Sequence, residues 1–178
     1  MTGSLPAGRP VSSSLCTMSE LVLPNDTNGI GNLMGGRLLH WMDVCAAISS
    51  QRHAGMVCVT ASVDSVEFHE PILQSEIIVL ESHVNRAFRS SMEIEINVYA
   101  ENPRSSEKRH CNRAFYTFVA VGKDGKPVPV PRLLPGTEKE HERYEAAARR
   151  REFRLLLSGR MEPRDAVHVQ DYLASFKA

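Results

Sequence analysis

The chain has no surplus of charge of either sign. Its 178 residues carry 21 Lys and Arg against 21 Asp and Glu, a formal net charge of zero. A broad electrostatic attraction to nucleic acid or to an anionic membrane surface is therefore not expected. Long apolar runs are missing too, and no stretch approaches the roughly 20 residues that span a bilayer. The N-terminus, Met1 to Ser14, has no charged segment followed by an apolar one, so it does not read as a secretory signal. Its Gly, Pro and Ser content reads instead as a flexible arm. The four cysteines, Cys16, Cys45, Cys58 and Cys111, are scattered with no C-x-x-C pair, which points to free thiols in a reducing cytoplasm. His40, His53 and His69 show no ligand spacing, and no metal is expected. What remains is ordinary: 42 % hydrophobic and 24 % charged residues, in a chain long enough for one domain with a full core.

Hydrophobic periodicity orders the chain. Leu15 to Leu23 alternates as a strand with one buried face, and Pro24 to Gly36 is a glycine-punctuated loop. Arg37 to His53 reads as a helix on the three- and four-residue spacing of Leu38, Trp41, Met42, Cys45 and Ile48, stopped by Ala54-Gly55. Strands follow at Val57 to Phe68, Glu76 to Phe88, Ser90 to Tyr99 and Arg113 to Val121, with polar turns at Asn102 to Lys108 and Lys123 to Lys126. Alternating prolines keep Val128 to Pro131 extended. Glu138 to Leu157 reads as a charged helix, with a short segment near Asp165 to Phe176 as another. One long helix must bury its apolar face against a sheet. The economical solution is an α+β fold, with an antiparallel sheet wrapped around the helix.

Two features of the loop and helix resist a purely structural reading. Glycines at 29, 31, 35 and 36 lead into a helix start, which presents unpaired N–H donors suited to a developing negative charge. The loop lacks the Lys-Ser/Thr of a P-loop and the spacing of a dinucleotide fingerprint. Asp43 is a poor helix former and lies beyond the first turn, so neither propensity nor the helix dipole accounts for it. Its neighbours Leu39, Ala46 and Ala47 are apolar and mostly small, so its carboxylate would be partly desolvated with room for something to approach. A buried Asp capping a nearby loop fits the same pattern. Asn28 is either a turn residue tolerating unusual backbone or a group that holds a water or a carbonyl. Cys45 or Ser49 with a histidine would make a nucleophilic pair, but nothing in the sequence selects one. Arg149 to Arg154 is the densest positive cluster, a solvated helix face or a site for a phosphate.

The strings PNDTNGIGNLMGGRLLHWMD, RHAGMVCVTASVDSVEFHEPI, RSSMEIEINVYAE and FYTFVAVGKDGKPVPVP, followed by a charged C-terminal helix, resemble the acyl-CoA thioesterases of the cytosolic acyl-CoA hydrolase type. The likeness runs from about Leu15 to Phe153. It implies the hotdog fold, a long central helix wrapped by a curved antiparallel sheet. The expected organisation is a flexible arm over 1–14, a hotdog thioesterase domain over 15–135 and a charged helical extension over 136–178. It also implies self-association as hotdog dimers, as a trimer of dimers, with sites at the interface between two units.

The family's loop asparagine falls on Asn28 and its helix aspartate on Asp43. The implied reaction is hydrolysis of an acyl-CoA thioester to free acid and CoA, with no cofactor, since CoA is substrate and product. Asp43 is then the general base or the nucleophile, and Asn28 orients water or substrate. The N–H groups near Gly35 and Gly36 receive the oxyanion, while Arg89, Ser90, Ser91 and Arg149 contact CoA. Gly36 to Asp43 spans roughly 10 Å of helix, so Asp43 is expected to pair with Asn28 of a second subunit. The rival reading is a non-catalytic hotdog protein that binds acyl-CoA or a nucleotide as a sensor. A hotdog dehydratase is disfavoured, because no His-acid pair is placed as those enzymes require.

Overall fold

The structure, a computed structural model, describes residues 7–64, 66–68, 70–105 and 107–176. Residues 1–6 of the expected arm, and His69, lie outside them. The elements are β1 (Arg9–Pro10), β2 (Cys16–Leu21), α1 (Gly35–Ala54), β3 (Cys58–Val63), β4 (Ile77–Ala87), β5 (Ser91–Glu101), β6 (Lys108–Ala120), β7 (Leu133–Leu134), α2 (Glu138–Leu157) and α3 (Val167–Ala174). They form two compact units, the first ending at Leu134 and the second beginning at Pro135.

In the first unit, five strands pair antiparallel in the order β2-β4-β5-β6-β3, and α1 packs against one face of that sheet. The strand alternation sets which side chains meet the helix. Ile78, Leu80 and Val84 of β4, Met92, Ile94, Ile96 and Val98 of β5, and Ala114, Tyr116 and Phe118 of β6 are buried. From α1, Leu38, Trp41, Met42, Cys45 and Ala46 are buried. This is the hotdog arrangement.

The larger departures from the sequence reading each have a tertiary reason. Residues 9–14 are held rather than forming part of a loose arm. Arg9 and Pro10 pair in parallel with Leu133 and Leu134, and Val11 and Ser14 are buried in a 3-10 turn. Arg9 also donates to the carbonyls of Arg52 and His53 at 2.8 and 3.0 Å, placing a cation where the C-terminus of α1 carries partial negative charge.

The helix starts at Gly35, two residues before the expected Arg37. Two glycines are weak helix formers, but Asp26 anchors the turn they sit in. Its backbone carbonyl accepts from Met34 N at 2.9 Å, and its buried carboxylate accepts from Leu23 N at 3.0 Å and Arg37 Nε at 2.7 Å. At the far end Gly55 adopts φ 71° and returns its N–H to the Gln51 carbonyl, the glycine stop the sequence signals.

Strand β3 ends at Val63 rather than Phe68, because the chain leaves the sheet and brings the Phe68 ring against Gly35. Strand β6 starts at Lys108, five residues before the expected Arg113. Its polar first turn is held by Arg109, which grips Glu76 through two bonds of 2.6 and 2.8 Å and reaches the Pro71 carbonyl at 2.7 Å.

The second unit is a helix pair. Thr137 and Glu140 form a reciprocal capping box at the start of α2. The buried Glu152 accepts from His168 N and Val169 N, satisfying the first turn of α3.

Candidate active site

Asp43 sits on α1, half-buried, at the height of the sheet where β3 pairs with β6. Its Oδ1 accepts a 2.7 Å hydrogen bond from Thr60 Oγ1 on β3. Thr60 carries no signal of its own in the sequence, because a β-branched residue in a β-rich run reads as a strand former. The carboxylate opens on a cavity of about 560 Å³, whose walls include Gly36, Leu39, His40, Phe68 and Tyr116. Tyr116 is 1 % exposed. Burial, and secondarily the Asp43 charge, push its phenol up to about 12.

Asn28 opens elsewhere. With Gly35, Leu38, Glu70 and Ile72 it lines a second cavity of about 320 Å³, and Phe68 belongs to both. Its carbonyl oxygen is committed to the loop, accepting from Ile30 N and Asn32 N at 3.1 Å each. The turn reading of Asn28 therefore holds for its oxygen, and the amide NH2 is the part left to meet a ligand. Its backbone closes the same loop: Asn28 N donates to Asn32 O, and Gly31 N, at φ 78°, donates to Asn28 O.

Between the two cavities stands the start of α1. Met34 caps it without a side-chain hydrogen bond, and no acidic residue occupies the first turn. Gly35 N and Gly36 N lie ahead of the first N–H that bonds into the helix, Arg37 N to the Met34 carbonyl, so the helix leaves them as open donors. A Cβ on Gly36 would meet nothing within 4 Å, whereas one on Gly35 would stand 3.3 Å from the Phe68 ring. The glycines thus allow close approach, one on each side.

Three other expected residues of the first unit do not line this centre. Arg89, Ser90 and Ser91 form the β4–β5 hairpin, where their carbonyls accept from Val130, Ala120 and Phe88, and none of them lines either cavity. Arg149 belongs to the second unit, with its guanidinium 4.5 Å from the centre of the Tyr172 ring. The nucleophilic-pair alternative is closed. Burial pushes the Cys45 thiol up to about 12, its sulfur lies 3.1 Å from Ser82 Oγ, and Ser49 Oγ bonds the same hydroxyl at 2.7 Å. The buried His53 pairs instead with the Pro131 carbonyl at 2.9 Å. Among the described residues, no three His, Cys, Asp or Glu side chains are grouped to hold a metal ion, and no helix is long and apolar enough to cross a membrane.

A hotdog unit with a carboxylate and open helix N–H groups at its cavities has the parts that thioester chemistry needs. Comparison with known proteins agrees. The Thioesterase superfamily model matches residues 30–107. The Bacillus subtilis protein named uncharacterized acyl-CoA thioester hydrolase YkhA is 41 % identical over 145 residues, 82 % of this chain and 84 % of that one. A Staphylococcus aureus acyl-CoA hydrolase, solved with butyryl coenzyme A, coenzyme A and coenzyme A disulfide, superposes with TM-score 0.79 at 32 % identity, covering 93 % of this chain and 98 % of the other. An apo-hexameric acyl-CoA thioesterase superposes with TM-score 0.83 at 38 % identity, covering 86 % and 98 %. The chain belongs to the thioesterase superfamily.

Proposed function

We propose that this chain hydrolyses acyl-CoA thioesters to free acid and CoA, with Asp43 as general base. The observation that carries the reading is the placement of Asp43. It is half-buried, held by Thr60, and opens on the same largely apolar cavity as the unblocked Gly36 N–H.

In the reaction, Asp43 takes a proton from water as the oxygen attacks the thioester carbon. The carbonyl oxygen becomes an oxyanion and accepts from the Gly36 and Gly35 N–H groups, a contribution of about 3 kcal/mol per donor in comparable sites. Collapse expels the CoA thiolate, which takes the proton that Asp43 had accepted from water, returning the carboxylate. The amide NH2 of Asn28 donates to the water or to the substrate. Asn28 and Asp43 open on different cavities of one chain, which supports a site completed between two copies, Asn28 from one and Asp43 from the other. The hexamer formed by a relative at 38 % identity supports self-association. The free edge of β3, with Val59 and Val63 exposed, is a surface that needs covering.

The test is release of CoA thiol, followed with a thiol-reactive chromophore, from short, medium and long acyl-CoA substrates. Asp43→Asn is expected to fold with an unchanged melting temperature and to lose most turnover. Near wild-type kcat in that variant would refute the assignment. Tight CoA binding with no thiol release from the wild type at any chain length would favour the sensor reading instead.

A further inference from the structure

Tyr116 carries an unused polar group at the reacting end of the site. It sits on β6, opposite Ile94 of β5 and Val63 of β3, with its side chain on the face that packs against α1. An inward position of this kind ordinarily takes an apolar side chain, and the next inward residue along β6 is Phe118, whose ring stacks on Tyr116 at 6.4 Å. The hydroxyl is therefore surplus to packing. It has no hydrogen-bond partner among the described residues, and it is not one of the fully enclosed polar atoms that lack one. It opens on the cavity it shares with Asp43, close enough to feel that carboxylate's charge.

With the cavity empty of substrate, solvent has access to this hydroxyl. An unsubstituted acyl chain lying beside it displaces that solvent and offers no acceptor, leaving a buried donor unpaired. An acyl group bearing an oxygen near the thioester replaces the solvent with a hydrogen bond. Sites that bury a polar group discriminate strongly against ligands that cannot satisfy it.

Resting on the thioesterase reading above, we propose that Tyr116 is a specificity-determining residue. Its hydroxyl selects acyl-CoA substrates whose acyl chain carries an oxygen substituent close to the thioester carbonyl, over unsubstituted chains of the same length.

The experiment compares kcat/KM for 3-hydroxybutyryl-CoA and butyryl-CoA in the wild type and in Tyr116→Phe. The wild type is expected to favour the hydroxylated substrate by about tenfold, the effect of one buried donor left unpaired. In Tyr116→Phe the two rates should move in opposite directions, butyryl-CoA rising and 3-hydroxybutyryl-CoA falling, so that the ratio approaches one. A purely structural tyrosine, or one that positions the attacking water, would lower both rates together and leave the ratio unchanged, and that result overturns the proposal. Should Tyr116→Phe fail to fold, the wild-type ratio decides alone, and a value of one or below overturns it. Absence of thiol release from these two substrates and from medium and long acyl-CoA alike overturns the hydrolase reading itself, a result distinct from an unselective hydrolase.

Discussion

Gly36→Ala should make the protein more stable and less active. Gly36 occupies the first turn of α1 with ordinary negative φ, and a Cβ there meets nothing within 4 Å. Alanine therefore fits without strain. Replacing glycine in a helix removes backbone freedom from the unfolded chain, a gain of about 0.5–1 kcal/mol. For a chain of this size that raises the melting temperature by about 1–4 °C. The same methyl group has the opposite effect on chemistry. In a helix the Cα–Cβ bond tilts toward the N-terminus, the direction in which the unpaired N–H groups point, so the methyl projects into the space where an oxyanion approaches Gly36 N. Losing one such donor costs about 3 kcal/mol, roughly a hundredfold in kcat.

Differential scanning calorimetry and the thiol-release assay read the two effects on one preparation. Full activity with a raised melting temperature would show that no substrate oxygen approaches this turn. A lowered melting temperature would contradict the open space seen beside Gly36. Gly35→Ala is the control, since its Cβ meets the Phe68 ring at 3.3 Å and the ring must shift to admit it.

Other perturbations separate positioning from chemistry. Thr60→Val removes the donor to Asp43; with Thr60 exposed, the bond is worth about 1 kcal/mol, and kcat should fall about fivefold with the melting temperature unchanged within about 2 °C. Asn28→Asp keeps the oxygen that accepts from Ile30 and Asn32 but removes the amide donor, so turnover should collapse while thermal stability holds; unimpaired kinetics would reduce Asn28 to its turn role. The hydrogen-bonded Arg109 guanidinium holds the Glu76 carboxyl below its ordinary 4.5. A lowered folded-state value means that the unfolded chain binds protons more readily, so this contribution is complete above about pH 4.5 and fades as pH falls through the lower folded value. Glu76→Gln should cost about 1–2 kcal/mol at pH 7, because Arg109 is one-third exposed, and should flatten the acid limb of melting temperature against pH. An acid limb as steep as the wild type's would place the effect elsewhere.

Hydrophobic period made the long elements legible. The alternation of Met92, Ile94, Ile96 and Val98 and the helical spacing of Leu38, Trp41, Met42 and Cys45 depend on local pattern alone, and both appear as read. Asp43 was legible for the opposite reason, as a residue that the local rules disfavour. Thr60 and Tyr116 were not. Each obeys its strand's pattern, and only the antiparallel pairing of β3 with β6, with α1 laid across it, brings them to Asp43. The early start of α1 was hidden in the same way, because Asp26 sits eleven residues before its partner Arg37, in a stretch that reads as polar loop. A tyrosine in the inward phase of a strand is the one signal that was available in advance, since a phenol placed there needs a polar partner.

The local rules fail together at one place, and that coincidence is itself evidence of function. A helix that begins with two glycines, lacks a side-chain cap, has no acid in its first turn and carries an aspartate two turns in is poor by every criterion of helix stability. One such departure is common. Four in a single helix, in a protein whose other long helix opens with a complete capping box, need a compensating reason. Natural chains tolerate such conflicts mainly where chemistry requires them. The compensation is visible in the Asp26–Arg37 bond, which fixes the turn without touching Gly35 or Gly36 and so leaves both N–H groups open. A side-chain cap at Met34 would have stabilised the same turn by taking the N–H of Gly36 or Arg37.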